Sequence, residues 1–384
     1  MFRGQAKEDI FIDAHLGPAI IPGPIELDDE VLYANAHPSN SHVSPDFVPV
    51  FGDCIRMTRK VLFTTVGQPF LIAGSGTLGW DQIAANVVQP GENALVLNTG
   101  YFGDSFAECL ETYGANVDQL KAQIGATASL DDIETALRAK KYRLLTLTHV
   151  DTSTGVLSDA KAIAATVHRV SPDTLVAIDA VCSVASEELR MDLWGIDIVL
   201  TASQKGLGAP PGLSILVAGP RAMKCLGVDA LYIFFCRWLP IMKAYESGKP
   251  AYFATPPVNL IYAYHTALTQ ITERQPSLEQ RFELHRLASK EVKDTASSLG
   301  LKQLVLSPAF ASNSMTALYF PDGMTAADLI PKLSAKNIVV AGGLHTEIKE
   351  KYFRIGHMGV TAVDRQRGDI HKVTTALKEL FAAK

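Results

Sequence analysis

The amino-acid sequence predicts an α/β fold, with a large unit built on a mostly parallel sheet and a smaller α+β unit behind it. Three observations carry this reading. From about residue 50 to 220, near-continuous apolar runs alternate with helical patterns. That rhythm marks a parallel sheet covered on both faces. After about residue 260 the texture changes to one long helical pattern followed by short strands. Finally, 384 residues, 47% of them hydrophobic and 20% charged, suffice for two units with substantial cores.

In chain order, strands are expected at residues 70–73, 94–98, 144–149, 175–179, 196–201 and 213–217. Ser129 and Asp132 have the spacing of a capping box ahead of IETALRAKK. Pro250, Pro256 and Pro257 resist helix and ladder alike and mark a linker. A helical pattern covers 260–299, and strands are expected at 315–320, 338–341 and 352–355. Thr325 and Asp328 repeat the capping spacing before LIPKLSAKN. The expected division is an N-terminal segment 1–24, a large domain 25–258 and a small C-terminal domain 259–384. The stretch 227–238 carries no motif.

Composition excludes several classes. Thirty-five basic against 40 acidic residues give a net charge of -5, so neither a nucleic-acid footprint nor a polybasic membrane patch is expected. The five cysteines are widely spaced and include no C-x-x-C pair. Free thiols in a reducing, intracellular compartment follow, and no metal site is expected. The acids Glu8, Asp9 and Asp13 argue against a signal or transit peptide, and the terminal Ala-Ala-Lys is not a peroxisomal signal. The cytoplasm is the first expectation, with peroxisome and mitochondrion left open.

Three features bear on chemistry. Gly74-Ser75-Gly76-Thr77-Leu78-Gly79 joins a strand to a helix, where free N–H groups make an anion site and the two hydroxyls add donors. The pattern is formally G-x-G-x-x-G, so a nicotinamide-dependent dehydrogenase must be weighed. The next strand ends in Asn98 and Thr99, however, without the carboxylate that holds a dinucleotide ribose. Asp179 ends the run LVAI, at the strand edge where ligands bind in such sheets. Lys205 follows 26 residues later in a turn of small residues, past the run IDIVL. A partly buried lysine amine loses its proton readily and can form a Schiff base. An anion cradle, an acid and a lysine together suit pyridoxal phosphate, whose phosphate, ring nitrogen and aldehyde need one each. Phe102, with Tyr101 beside it, is a candidate to cover the ring.

The segments IPGP (21–24), AGSGTLG (73–79), THVDTSTG (148–155), IDAVCS (178–183), TASQKGLGAPPG (201–212), YFATPP (252–257) and RIGHMG (354–359) resemble the class V aminotransferases, in that family's order and spacing from about residue 20 to 380. The nearest group is alanine–glyoxylate/serine–pyruvate aminotransferase. The resemblance implies fold type I of the pyridoxal-phosphate-dependent transferases. It makes Lys205 the Schiff-base lysine, Gln204 a cofactor contact and Asp179 the partner of the ring nitrogen, with Val181 under the ring. Ser75, Gly76 and Thr77 match the phosphate turn. Ser153 matches a serine touching cofactor and substrate, Arg354 the arginine gripping the substrate carboxylate, and Pro22 and Gly23 a turn near that carboxylate. Tyr252 and Thr255 match residues reaching the partner subunit's cofactor, which implies a homodimer with shared sites. Thr77 and Phe102 stand where mammalian relatives carry His and Trp.

The implied activity is ping-pong transfer of an amino group from alanine to glyoxylate, giving pyruvate and glycine. Serine–glyoxylate and serine–pyruvate transamination remain open. A cysteine desulfurase needs a cysteine well after the lysine, and none follows Cys236. Phosphoserine transamination needs a basic cluster that the sequence lacks.

Overall fold

The computed structural model describes residues 18–225 and 235–381. Residues 1–17 and 382–384, on which the targeting expectations rest, lie outside the described residues, as does most of 227–238. Among the described residues no helix is long and apolar enough to cross a membrane.

Seven strands form the main sheet: β1 (Gln68–Ala73), β2 (Asn93–Asn98), β3 (Asn116–Lys121), β4 (Leu144–Thr148), β5 (Leu175–Asp179), β6 (Ile198–Ala202) and β7 (Leu213–Ala218). Their order is β1-β7-β6-β5-β4-β2-β3. From β3 to β6 the pairs are parallel. The helices Leu78–Val87, Tyr101–Thr112, Leu130–Ala139 and Ala160–Val170 accompany these strands. β7 runs antiparallel to both β6 and β1. Only residues 203–212 join β6 to β7, and they hold no helix. A parallel return needs a crossover of about a dozen residues or more, so the chain must double back. β1 then points the same way as the parallel strands, and all of their C-terminal ends share one edge. β3 is an addition to the expected strands. Its sequence NVDQLK has no apolar run, because an edge strand lacks a neighbour on one side.

The helical pattern over 260–299 resolves into two helices, Val258–Thr272 and Leu278–Ser298. A full capping box restarts the second. Ser277 Oγ accepts the Gln280 N–H at 3.3 Å, and the Gln280 side chain accepts the Ser277 N–H at 2.8 Å. At Ser129 only half of the expected box forms. Its Oγ accepts the Asp132 N–H, but the Asp132 carboxylate takes the serine hydroxyl rather than its N–H.

The small sheet is β8 (Met315–Tyr319), β9 (Ala341–Gly342) and β10 (Tyr352–Gly356), all antiparallel, with β10 central. The strand expected at 338–341 is shifted to the end of that range. Val339 instead forms an isolated bridge with Ala19. The described part of the N-terminal segment therefore packs on the small sheet, and Ile20 is buried in its core.

Packing also moves the expected boundary at 258/259. Leu260, Ile261, Tyr264 and Leu268 are buried in the core of the large sheet, because helix Val258–Thr272 lies against helix Phe47–Val61. The small core starts with Ala288 and Val292 on the next helix. A third cluster, including Val150, Cys182, Met315 and Tyr352, joins the two units.

Phe51 is fully buried, with its ring 4.5 Å from that of Tyr245. Truncating a buried phenylalanine leaves a cavity and costs about 3–5 kcal/mol. Phe51→Ala is expected to lower the urea midpoint accordingly, read by far-UV circular dichroism.

Candidate active site

At the shared strand edge lies a cavity of about 210 Å3. Gly23 and Pro24, the turn Ser75–Thr77, Trp80, Phe102, Thr148, Val150, Thr152, Asp179, Val181, Gln204 and Lys205 line it. Topology explains the convergence. Asp179 ends β5, Lys205 follows the adjacent parallel strand β6, and the glycine turn follows β1 on the same edge.

Asp179 is 3% exposed. Its Oδ1 accepts the Val181 N–H at 3.0 Å and its Oδ2 accepts the Trp80 Nε1–H at 2.8 Å. Burial raises its pKa to about 6, against the pull of these two donors; the Asp151 charge adds to the rise and Lys205 opposes it. Trp80 carries no motif of its own in the sequence. It lies four residues past Gly76, one helical turn, so it leans from the helix start towards the same edge. It also stacks on Phe106 at 5.5 Å and meets Phe102 edge-on at 6.2 Å.

Lys205 is 8% exposed and its Nζ donates to the Pro22 carbonyl. Burial lowers its pKa; the nearby Arg354 charge lowers it further, while Cys182 and Asp179 oppose the shift. Gly23, at φ +112°, lies against this lysine. A side chain at that φ is strained, and a Cβ would also displace the end of the Lys205 side chain. At the glycine turn, a Cβ on Gly76 would sit 2.9 Å from Val181 and 3.3 Å from Ala202. The turn therefore rests directly on the ends of β5 and β6. Its N–H groups at residues 75–77 donate to no other described residue, and Ser75 and Thr77 share a hydrogen bond of 2.6 Å at the exposed mouth. Gln204 Oε1 is buried without a partner among the described residues, so the wall of the cavity holds an unmet acceptor.

Ser153 is placed differently from expectation. It is fully buried and does not line the cavity; its neighbour Thr152 does. Ser153 Oγ donates to Asp151 Oδ1 at 2.6 Å and accepts the Tyr101 N–H at 3.0 Å, so both of its faces are used. Arg354 is half-buried next to the lining residue Thr152 and does not itself line the cavity. Its Nε donates to the Gly342 carbonyl at 2.7 Å and its Nη1 to the Thr152 carbonyl at 3.0 Å. Its Nη2 has no partner among the described residues. Tyr252 and Thr255 are exposed and line no part of this cavity. The dinucleotide reading of Gly74–Gly79 fails on topology as well as on the missing carboxylate. Four strands separate β1 from β2, so there is no crevice between them for a dinucleotide.

The comparisons with known proteins agree with this geometry. A family model described as aminotransferase class-V matches residues 30–361. Alanine–glyoxylate aminotransferase 1 of Saccharomyces cerevisiae is 44% identical over 362 residues, covering 90% of this chain and 93% of its own. L-aspartate–glyoxylate aminotransferase of Paracoccus denitrificans is 32% identical over 346 residues, covering 89% and 86%. The crystal structure of alanine–glyoxylate aminotransferase from Nostoc sp. superposes with a TM-score of 0.86 at 27% identity, covering 94% of this chain and 95% of its own. The sheet order, the placement of acid and lysine at its C-terminal edge and these matches agree: the chain belongs to the class-V aminotransferase family, with fold type I architecture.

Proposed function

We propose that the protein uses pyridoxal phosphate to carry the amino group of a small amino acid, alanine first, to glyoxylate. The observation that carries this is one cavity holding a buried lysine, a buried carboxylate, free amides at a helix start and an unmet Gln204 acceptor. Those donors and acceptors fit the cofactor's aldehyde, ring nitrogen, phosphate and ring substituents. Ser75, Gly76 and Thr77 would hold the phosphate, Asp179 the ring nitrogen, Val181 and Phe102 the two ring faces, and Lys205 the aldehyde. Bound there, the cofactor supplies an aldehyde that takes up and returns an amino group, and a ring that accepts the electron pair of a broken Cα–H bond.

The chain's own groups do the rest. Burial favours the uncharged amine of Lys205, which can then lift a proton from the substrate Cα and return it elsewhere. Two N–H donors favour the ionised form of Asp179 against the effect of burial, and that form would hold a protonated ring nitrogen. Arg354, with two nitrogens fixed on carbonyls, offers Nη2 to a substrate carboxylate from beside Thr152. The 44% identity to the yeast alanine–glyoxylate enzyme supports that pair. Tyr252 and Thr255, exposed and away from this cavity, are read as serving the site of a second copy in a homodimer.

Lys205→Ala is expected to abolish turnover while keeping the far-UV spectrum. Wild-type turnover in that variant would end the proposal, and a half-reaction screen of amino donors decides alanine against serine and aspartate. Arg354→Ala is expected to raise KM for both amino and oxo acid by about 10- to 100-fold, the worth of a charged hydrogen bond. Trp80→Phe removes a donor to ionised Asp179, so its pKa should rise above about 6. Cofactor affinity, which falls as Asp179 takes up a proton, should then begin to drop at a higher pH, seen in a pH series of cofactor titrations.

A further inference from the structure

A second cavity, of about 330 Å3, shares no lining residue with the first. It opens where the turn after Lys205, at Leu207 and Gly208, meets helix Val258–Thr272 and the segment 359–364 of the small unit. Arg281, in the first turns of helix Leu278–Ser298, lies in its wall and is 9% exposed. The guanidinium makes no hydrogen bond or ion pair with any described residue, and its Nε is wholly enclosed. A buried cation without a counter-charge is costly, and such groups are normally paired. Burial pushes its pKa down to about 10, and no neighbouring carboxylate counteracts the shift.

The other charged groups of the wall are engaged elsewhere. Glu26 accepts the Ala19 N–H at 2.6 Å and lies 3.5 Å from Arg367. Asp28 accepts the Glu30 N–H and the Gln270 amide, and Asp364 accepts the Gln366 N–H. Arg274 pairs with Glu30 at 2.7 Å. Their carboxylates repel multiply charged anions, while Ala267, Ile271, Val360 and Val363 supply an apolar wall. We propose that this cavity binds a short aliphatic monocarboxylate, with its carboxylate on Arg281 and its chain against that wall.

The test is calorimetric titration of the cofactor-loaded enzyme with butyrate, in wild type, Arg281→Met and Arg354→Ala, at constant ionic strength. Arg281→Met keeps an unbranched apolar stem in the wall, and Arg281→Lys is the charge-preserving control. Expected is saturable binding in wild type that survives Arg354→Ala and weakens about tenfold or more in Arg281→Met, with partial recovery in Arg281→Lys. Absence of saturation in the wild-type protein overturns the proposal without any variant. Binding abolished by Arg354→Ala but untouched by Arg281→Met also overturns it, since the carboxylate would then sit in the substrate site.

Discussion

A buried amine and a buried carboxylate facing one cavity are the constraint on which the rest of the site depends. Leaving water costs each charge several kcal/mol unless it finds partners. Asp179 is compensated by the N–H groups of Val181 and Trp80, Lys205 by the Pro22 carbonyl. Burial still moves both pKa values towards the neutral forms. In such a state the amine can act as base and nucleophile, and the acid stands ready to ionise fully once a cation faces it. Parallel pairing of β5 with β6 is what sets the two residues side by side. The same crowding explains the glycines: Gly23 and Gly76 leave room that a Cβ would fill.

The small unit completes the site through one strand. Tyr352 and Arg354 alternate onto the same face of β10, as strand geometry requires. Tyr352 Oη donates to the Ser153 carbonyl and Arg354 Nη1 to the Thr152 carbonyl. The turn after β4 is thus clasped from the small unit. A further tie is Glu187, buried, which accepts from Ser312 and Asn313 across the same junction. Arg354 is therefore placed by the contact between units, and the substrate grip proposed for it depends on that contact being made.

Much of this is legible in the sequence, for reasons that differ by residue. Asp179 and Lys205 stand at the ends of long apolar runs, so their position at the strand edge follows from pattern alone. Arg354 carries no such local mark, and only the resemblance of RIGHMG draws attention to it. Trp80 escapes notice because a tryptophan near a helix start looks like core, and its bond to Asp179 spans 99 residues. Ser153 and Thr152 are adjacent and chemically alike, so pattern cannot say which faces the cavity; the pairing of Ser153 with Asp151 decides it. The edge strand β3 is hidden by its polarity. The break at 273–277 is hidden because both flanking helices keep an apolar face, although the second passes from the large core at Leu278 to the small one at Ala288 and Val292.

Gly74–Gly79 shows how far a motif's meaning lies outside its own letters. The glycines make the same tight turn and free amides whichever phosphate approaches. What differs is the company the sheet supplies. Because β7 doubles back, the Gly74 N–H bonds the Gly212 carbonyl at 2.9 Å, and β1 is held at the end of the sheet nearest β6. The turn comes to rest on Val181 and Ala202, next to Asp179 and Lys205, while the strand that a dinucleotide needs lies beyond β4. A ten-residue connection too short to cross the sheet thus decides which chemistry the glycine turn can serve.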